Sequence, residues 1–202
     1  MKPALRRLGF VAALILWSAT SLLAHNSPSS AVLLDFYRDR VGAELTLPLA
    51  ELELSFKQSL LASPGAAYAQ HRDALKDYVA THIQPVSPDG RVWSVKVESL
   101  TLQTNQQPFD LVARVTMTPP AGATTRKFNF NYSVINHEVM SHCVFVSVRS
   151  DCEKPGVVGE PESLGMIHFT ITSLAIDRTH SGQGNPIRIS ASVLNSTNTP
   201  RK

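Results

Sequence analysis

The amino-acid sequence predicts a mainly β protein: an antiparallel β-sandwich with a short helical insertion at about residues 48–83, preceded by a signal-peptide helix. Alternating apolar and polar residues in the runs after residue 90 are typical of strands with one buried face. Only one long helical period is visible, whereas a parallel sheet needs helices between successive strands. Gly and Pro clusters separate the runs, which favours short strands joined by turns.

The first 24 residues have the layout of a secretory signal, with three basic residues, an apolar run over residues 8–17, and small or polar residues up to Ala24. The run is shorter than the roughly 20 apolar residues that a membrane span needs. We therefore expect export and cleavage before His25. The product would be periplasmic, or tethered to the membrane if the leader stays uncut.

The basic residues of the leader, Lys2, Arg6 and Arg7, account for the whole net charge of +3. Without them the chain keeps 16 of its 19 Lys and Arg residues, which equals its 16 Asp and Glu residues. A neutral product has no electrostatic attraction for nucleic acid, so nucleic acid is not expected as a partner. The remaining length suits one domain, which we place at residues 25–178, with a C-terminal strand and tail at 179–202.

Residues 31–37 and 41–47 are apolar-rich runs on either side of a charged tripeptide, which predicts a β-hairpin. The period then becomes helical, with a short turn near residue 50 and an amphipathic helix of about 18 residues that Pro85 should stop. His71 and His82 fall on this helix, and no binding role is expected for them. Further strands are predicted at 93–97, 109–117, 128–134, 143–149, 165–176 and 187–193.

Histidines give the candidate metal ligands. Cleavage after Ala24 would make His25 the N-terminal residue, whose α-amine and imidazole can chelate one copper or nickel ion. His137 and His142 lie in the stretch NHEVMSH. Histidine with methionine sulfur would favour copper, and histidine with a carboxylate would fit nickel or zinc. The candidate site therefore consists of His25, His137 and His142, and it holds a divalent metal, nickel or copper.

The five-residue spacing of His137 and His142 lets them converge only across a turn or bulge. Their sequence is H-E-x-x-x-H, which does not match the zinc-protease spacing H-E-x-x-H. The alternative interpretation is that both are ordinary polar residues at a strand entrance. No nucleophile elbow, phosphate-binding loop or C-x-x-C motif is present. A non-enzymatic protein is the preferred interpretation.

Cys143 and Cys152 are the two cysteines of a chain with a predicted export signal, where cysteines often pair. A straight strand at 143–149 would hold their Cα atoms farther apart than the roughly 7 Å that a disulfide permits. We therefore expect them to be unpaired, unless the chain bends after Cys143.

Four segments resemble the extracytoplasmic N-terminal region of membrane proteins of the HupE/UreJ-like group: AHNSPSSAVLLDFYRDRVGAELTLPLAELELSF, YVATHIQPVSPDGRVWSVKV, YSVINHEVMSHCVFVSVRSD and GEPESLGMIHFTITSLAIDR. The group is associated with nickel handling for hydrogenase and urease, so the resemblance implies a link to metal acquisition. Its longer members continue past LAIDR into membrane spans, whereas this sequence continues into a polar stretch. The resemblance thus implies a free-standing domain or a truncated product.

Two functional hypotheses follow from the sequence. The first is an exported domain that binds a divalent metal for uptake or delivery. The second is a structural interaction module that docks on a membrane protein through exposed strand edges and apolar positions, with incidental histidines.

Overall fold

The computed structural model describes residues 29–105, 107–153 and 160–179. The predicted leader, His25 and the predicted C-terminal strand at 187–193 lie outside these residues. The strands are β1 (Ser30–Phe36), β2 (Val41–Pro48), β3 (Ile83–Val86), β4 (Ser94–Gln103), β5 (Asp110–Thr118), β6 (Lys127–Tyr132), β7 (Val144–Asp151), β8 (Glu162–Ile167) and β9 (Ser173–Asp177). Two helices, α1 (Leu49–Phe56) and α2 (Pro64–Thr81), follow β2.

The strands form two sheets. Six strands build the larger sheet in the order β4-β5-β2-β1-β7-β8, and three build the smaller sheet in the order β3-β6-β9. The predicted hairpin is confirmed as β1 and β2, which pair antiparallel from Ala31 opposite Thr46 to Phe36 opposite Val41. The mainly β, mostly antiparallel fold class is therefore confirmed.

The two sheets pack face to face around an aromatic centre. The ring of Phe36 on β1 lies 6.3 Å from that of Phe128 on β6, and the Trp93 ring lies 4.5 Å from that of Phe128. The Trp93 indole donates a hydrogen bond to the buried Ser87 hydroxyl at 2.8 Å, so its polar atom is satisfied inside the core. Alternate residues of β2 and β5 add the aliphatic layer that the period-two pattern predicts.

Both helices of the predicted insertion form. Pro64 occupies the first turn of α2, where its missing N–H is no loss, and Leu75 and Val79 bury one face of the helix. Two tyrosine hydroxyl groups of α2 donate hydrogen bonds to neighbouring segments. Tyr68 donates to the Leu100 carbonyl in β4 and Tyr78 to the Val134 carbonyl after β6, both at 2.7 Å. The insertion thus covers the sandwich beside β4 and the segment after β6.

Three details differ from the sequence expectations. Strands β1 and β7 pair in parallel, a contact between segments far apart in the chain. Pro85 lies within β3 and does not simply end the helix; β3 is an edge strand, where a residue without an N–H is tolerated. The run 165–176 is divided between β8 and β9 by a turn in which His168 and Ile171 exchange backbone hydrogen bonds.

An ionic cluster, which we call the arginine clamp, links the ends of several strands. The Asp151 carboxylate at the end of β7 accepts two hydrogen bonds from Arg126, at 2.7 and 2.8 Å, and one from Arg178 at 3.1 Å. All three side chains are less than a tenth exposed. Both guanidinium groups also lie within 6 Å of the Phe36 ring, which is close enough for a cation–π contact.

Among the residues that the structure describes, no helix is both long and apolar enough to cross a bilayer.

Candidate functional site

The segment between β6 and β7, residues 133–142, carries the candidate ligands His137 and His142, and we call it the histidine loop. It folds through a tight turn in which Glu138 and Val139 both donate to the Ile135 carbonyl. Val134 and Ile135 are fully buried and anchor the turn. A turn is the geometry that the five-residue spacing of the two histidines requires.

His137 packs against His82, the residue that follows α2. Their imidazole rings are stacked, with centroids 4.6 Å apart and planes 28° apart. The Tyr78 ring contacts both, with its centroid 4.2 Å from that of His82 and 6.3 Å from that of His137. His137 is exposed and His82 is partly buried, so the stack runs from the surface inward.

Strand pairing brings these two histidines together. Ile83 on β3 lies opposite Tyr132 on β6, and the next residue, Ser133, donates its N–H to the His82 carbonyl at 2.9 Å. His82 is therefore fixed beside the start of the histidine loop. His82 is not predictable as a site residue from the sequence, because a β3–β6 register that no local pattern reveals brings it to its partner.

Both rings of the pair hold the same tautomer. Nδ1 of His82 lies 2.7 Å from the Tyr78 carbonyl, and Nδ1 of His137 binds the Ser133 carbonyl. Each contact runs to the residue four positions earlier. A carbonyl oxygen only accepts hydrogen bonds, so each Nδ1 must carry a proton, and in the neutral form of each ring the lone pair is then on Nε2. Histidines that bind metals are commonly oriented in this way.

Burial lowers the pKa of His82 below its usual value. The hydrogen bond to the Tyr78 carbonyl opposes this shift, and the neighbouring charge of His137 adds to it. His82 is therefore neutral at pH 7, which is the form that can coordinate a metal.

Beside His82 and His137, Glu138 binds the Lys57 ammonium at 2.9 Å, and this hydrogen bond lowers the pKa of Glu138.

His142 lies at the other end of the loop, fully buried, with different partners. Its Nε2 is 2.9 Å from the Ser30 hydroxyl on β1, and its Nδ1 binds the Glu51 carboxylate on α1. The order serine, histidine, carboxylate matches a hydrolytic triad. However, the Ser30 side chain is wholly enclosed, so a substrate carbonyl has no route to its hydroxyl. The arrangement is instead a buried polar link between β1, α1 and the histidine loop.

A buried phenol lies beside this link. Burial raises the pKa of Tyr132, and the Ser30 side chain only partly opposes the shift. Tyr132 is therefore neutral at pH 7, and it adds no charge next to His142.

The remaining histidines and the cysteines are dispersed. His71 contacts Phe56 edge-on, with ring centroids 5.9 Å apart, and His168 binds Thr170 within its own turn. Cys143 and Cys152 are both unpaired, as expected, because β7 separates them. His25 and His180 lie outside the described residues.

Within the described ranges, no group of three or more His, Cys, Asp or Glu side chains is arranged to hold a metal ion. The imidazoles of His82 and His137 are two side chains of metal-ligating type that the described part of the chain brings together. Comparison with protein-family models and with curated protein sequences gave no match.

Proposed function

We propose that this chain is an exported, non-enzymatic domain that binds a divalent metal, nickel or copper, for uptake or delivery. One observation carries the proposal. His142, the last residue of the histidine loop, hydrogen-bonds to Ser30, the first residue of β1. The segment just before Ser30 therefore starts beside the loop that holds His137.

This placement bears on His25, the predicted first residue after cleavage. Five residues of extended chain reach at most about 17 Å, so the His25 amine and imidazole could meet a ligand on the histidine loop. His137 is exposed and offers a free lone pair at Nε2. Both ring nitrogens of His142 are already engaged, so we assign it the role of holding the two segments together.

The test is calorimetric titration of the exported protein with nickel and with copper, after mass spectrometry has established that the chain starts at His25. We expect binding that weakens in His25→Ala and in His137→Ala. His168→Gln is the matched control, because this histidine lies in the turn between β8 and β9. No heat or spectral change with either metal would refute the metal role, and a chain recovered only in the cytoplasm would refute export.

The resemblance to HupE/UreJ-like proteins belongs to the same proposal. We propose that the domain corresponds to their extracytoplasmic N-terminal region and works with a membrane protein. Sequencing the region downstream of the gene tests this relation, because an adjacent reading frame for histidine-bearing membrane helices is expected. A region without such a frame would count against it.

A specific observation favours docking on a membrane protein as a second candidate function. Phe145 on β7 and Met166 on β8 are paired across the two strands, and they are 51% and 41% exposed. Two large apolar side chains left together in water near the edge of a sheet are typical of a contact surface. Co-purification from membranes should be lost in Phe145→Ser but kept in His137→Ala. Equal recovery of both variants with the membrane would exclude this surface.

A further inference from the structure

We infer that His82 and His137 form a two-histidine metal site on the surface of the domain, with both Nε2 atoms as ligands and water in the remaining positions. The inference deepens the proposed function by naming the ligands, and it rests on that function only for the choice of metal. His25 is not needed for it.

The tautomers make the pair ready for a cation. Because each Nδ1–H donates to a backbone carbonyl, the two Nε2 lone pairs are the ring atoms left to bind a ligand. Histidines that bind metals almost always donate their other ring N–H to a carboxylate, a backbone carbonyl or water, which fixes the orientation of the ring. Here the backbone supplies that partner for both rings, through Tyr78 and Ser133.

The spacing of the rings also suits one ion. A metal–nitrogen bond of about 2.1 Å puts the ring centre about 3.2 Å from the metal, so two imidazoles whose metal–nitrogen bonds meet at a right angle have centres about 4.5 Å apart. The observed separation is 4.6 Å. The planes are 28° apart, so the His137 ring must turn about its Cβ–Cγ bond, giving up its contact with the Ser133 carbonyl, to aim its lone pair at an ion bound by Nε2 of His82. The exposed position of His137 leaves room for this rotation.

The surroundings decide which cation is favoured. Two imidazoles with open water positions are borderline ligands, whose affinity rises from nickel to copper and falls again at zinc. Glu138, the residue after His137, pairs with Lys57 and so adds no net charge that would favour magnesium or calcium. We therefore expect copper(II) to bind most tightly.

The experiment compares copper(II) binding in the exported protein and in three variants. The double variant His82→Phe with His137→Phe keeps two stacked rings but removes both ligands, so binding should weaken about tenfold or more. Electron paramagnetic resonance of the parent should show nitrogen couplings that the double variant loses. His25→Ala should keep a copper signal with nitrogen couplings, and His168→Gln should match the parent.

The outcomes separate this inference from the proposed function. Copper binding that survives in the double variant and disappears in His25→Ala would overturn the two-histidine site but leave the metal function standing. A parent protein that binds neither copper nor nickel would overturn both. If the double variant does not fold, nitrogen-15 NMR of the parent decides: copper must selectively broaden the His82 and His137 ring signals, and unchanged signals would refute the site.

Discussion

Removing the charge at the centre of the arginine clamp, by Asp151→Asn, should strongly destabilise the fold. Burial alone would raise the pKa of Asp151, but hydrogen bonds from Arg126, from the Glu153 N–H and from Arg178 lower it to about 2. Relative to the ordinary aspartate pKa of 3.8, this lowering corresponds to about 2.5 kcal/mol of stability at pH 7. Breaking a buried ion pair by removing one partner costs about 3 to 5 kcal/mol.

Both values indicate that Asp151→Asn lowers the free energy of unfolding by about 3 kcal/mol. The other ion-pair partners of the two arginines should offset little of this loss. Glu153 contacts Arg126 and Glu162 contacts Arg178, but both carboxylates are more than half exposed. Urea unfolding at pH 7 measures the difference. Asp39→Asn, at an exposed loop position, is the control and should change stability by less than about 0.5 kcal/mol.

The stability that Asp151 contributes should depend on pH in a definite direction. The pKa of Asp151 is lower in the folded chain than in the unfolded one, so its contribution is complete above the unfolded pKa and is lost as the pH falls through about 2. The difference in free energy of unfolding between the parent and Asp151→Asn should therefore fall to roughly half by about pH 3. A difference below about 1 kcal/mol at pH 7, or one that does not change with pH, would refute the argument.

Three further predictions concern the histidine loop and the cysteines. Tyr78→Phe removes the hydrogen bond to the start of the loop and should cost about 1 kcal/mol in urea unfolding; an unchanged midpoint would show that this bond adds nothing. His142→Ala leaves a cavity and removes the hydrogen-bond partner of the Glu51 carboxylate, so it should cost about 3 kcal/mol of stability. Adding Glu51→Gln to this variant should cost little more, because the contact between the two side chains is already lost. Additive losses would show that the two side chains do not stabilise each other. Cys143 and Cys152 should give the same intact mass with and without reductant, and a difference would mean that they pair.

The sequence predicted what local patterns determine. The β1–β2 hairpin, both helices and the alternating strands β5 and β6 lie where their periodicity placed them. The parallel contact of β1 with β7 was not predictable in this way, because it joins Ser30 to Val144 and no short-range signal marks it. The turn within the run 165–176 was missed because its apolar residues continue the same period on both sides.

The candidate site was predictable only in part. His137 stands out in the sequence because it lies close to His142, and the structure puts it at the surface in a turn. His82 was assigned to the helix without a role, since only the β3–β6 register brings it to His137. The buried position of His142 follows from Glu51, a carboxylate more than 90 residues earlier, which no local spacing could indicate.

The central position of β1 in the larger sheet has a consequence for how the chain matures. One edge of this strand stays open until β7, which follows β2 to β6 in the chain, has been synthesised. Contacts between segments so far apart in the chain form slowly, so the larger sheet completes late in folding. Until then, the unpaired backbone groups of β1 on that side depend on water for their hydrogen bonds.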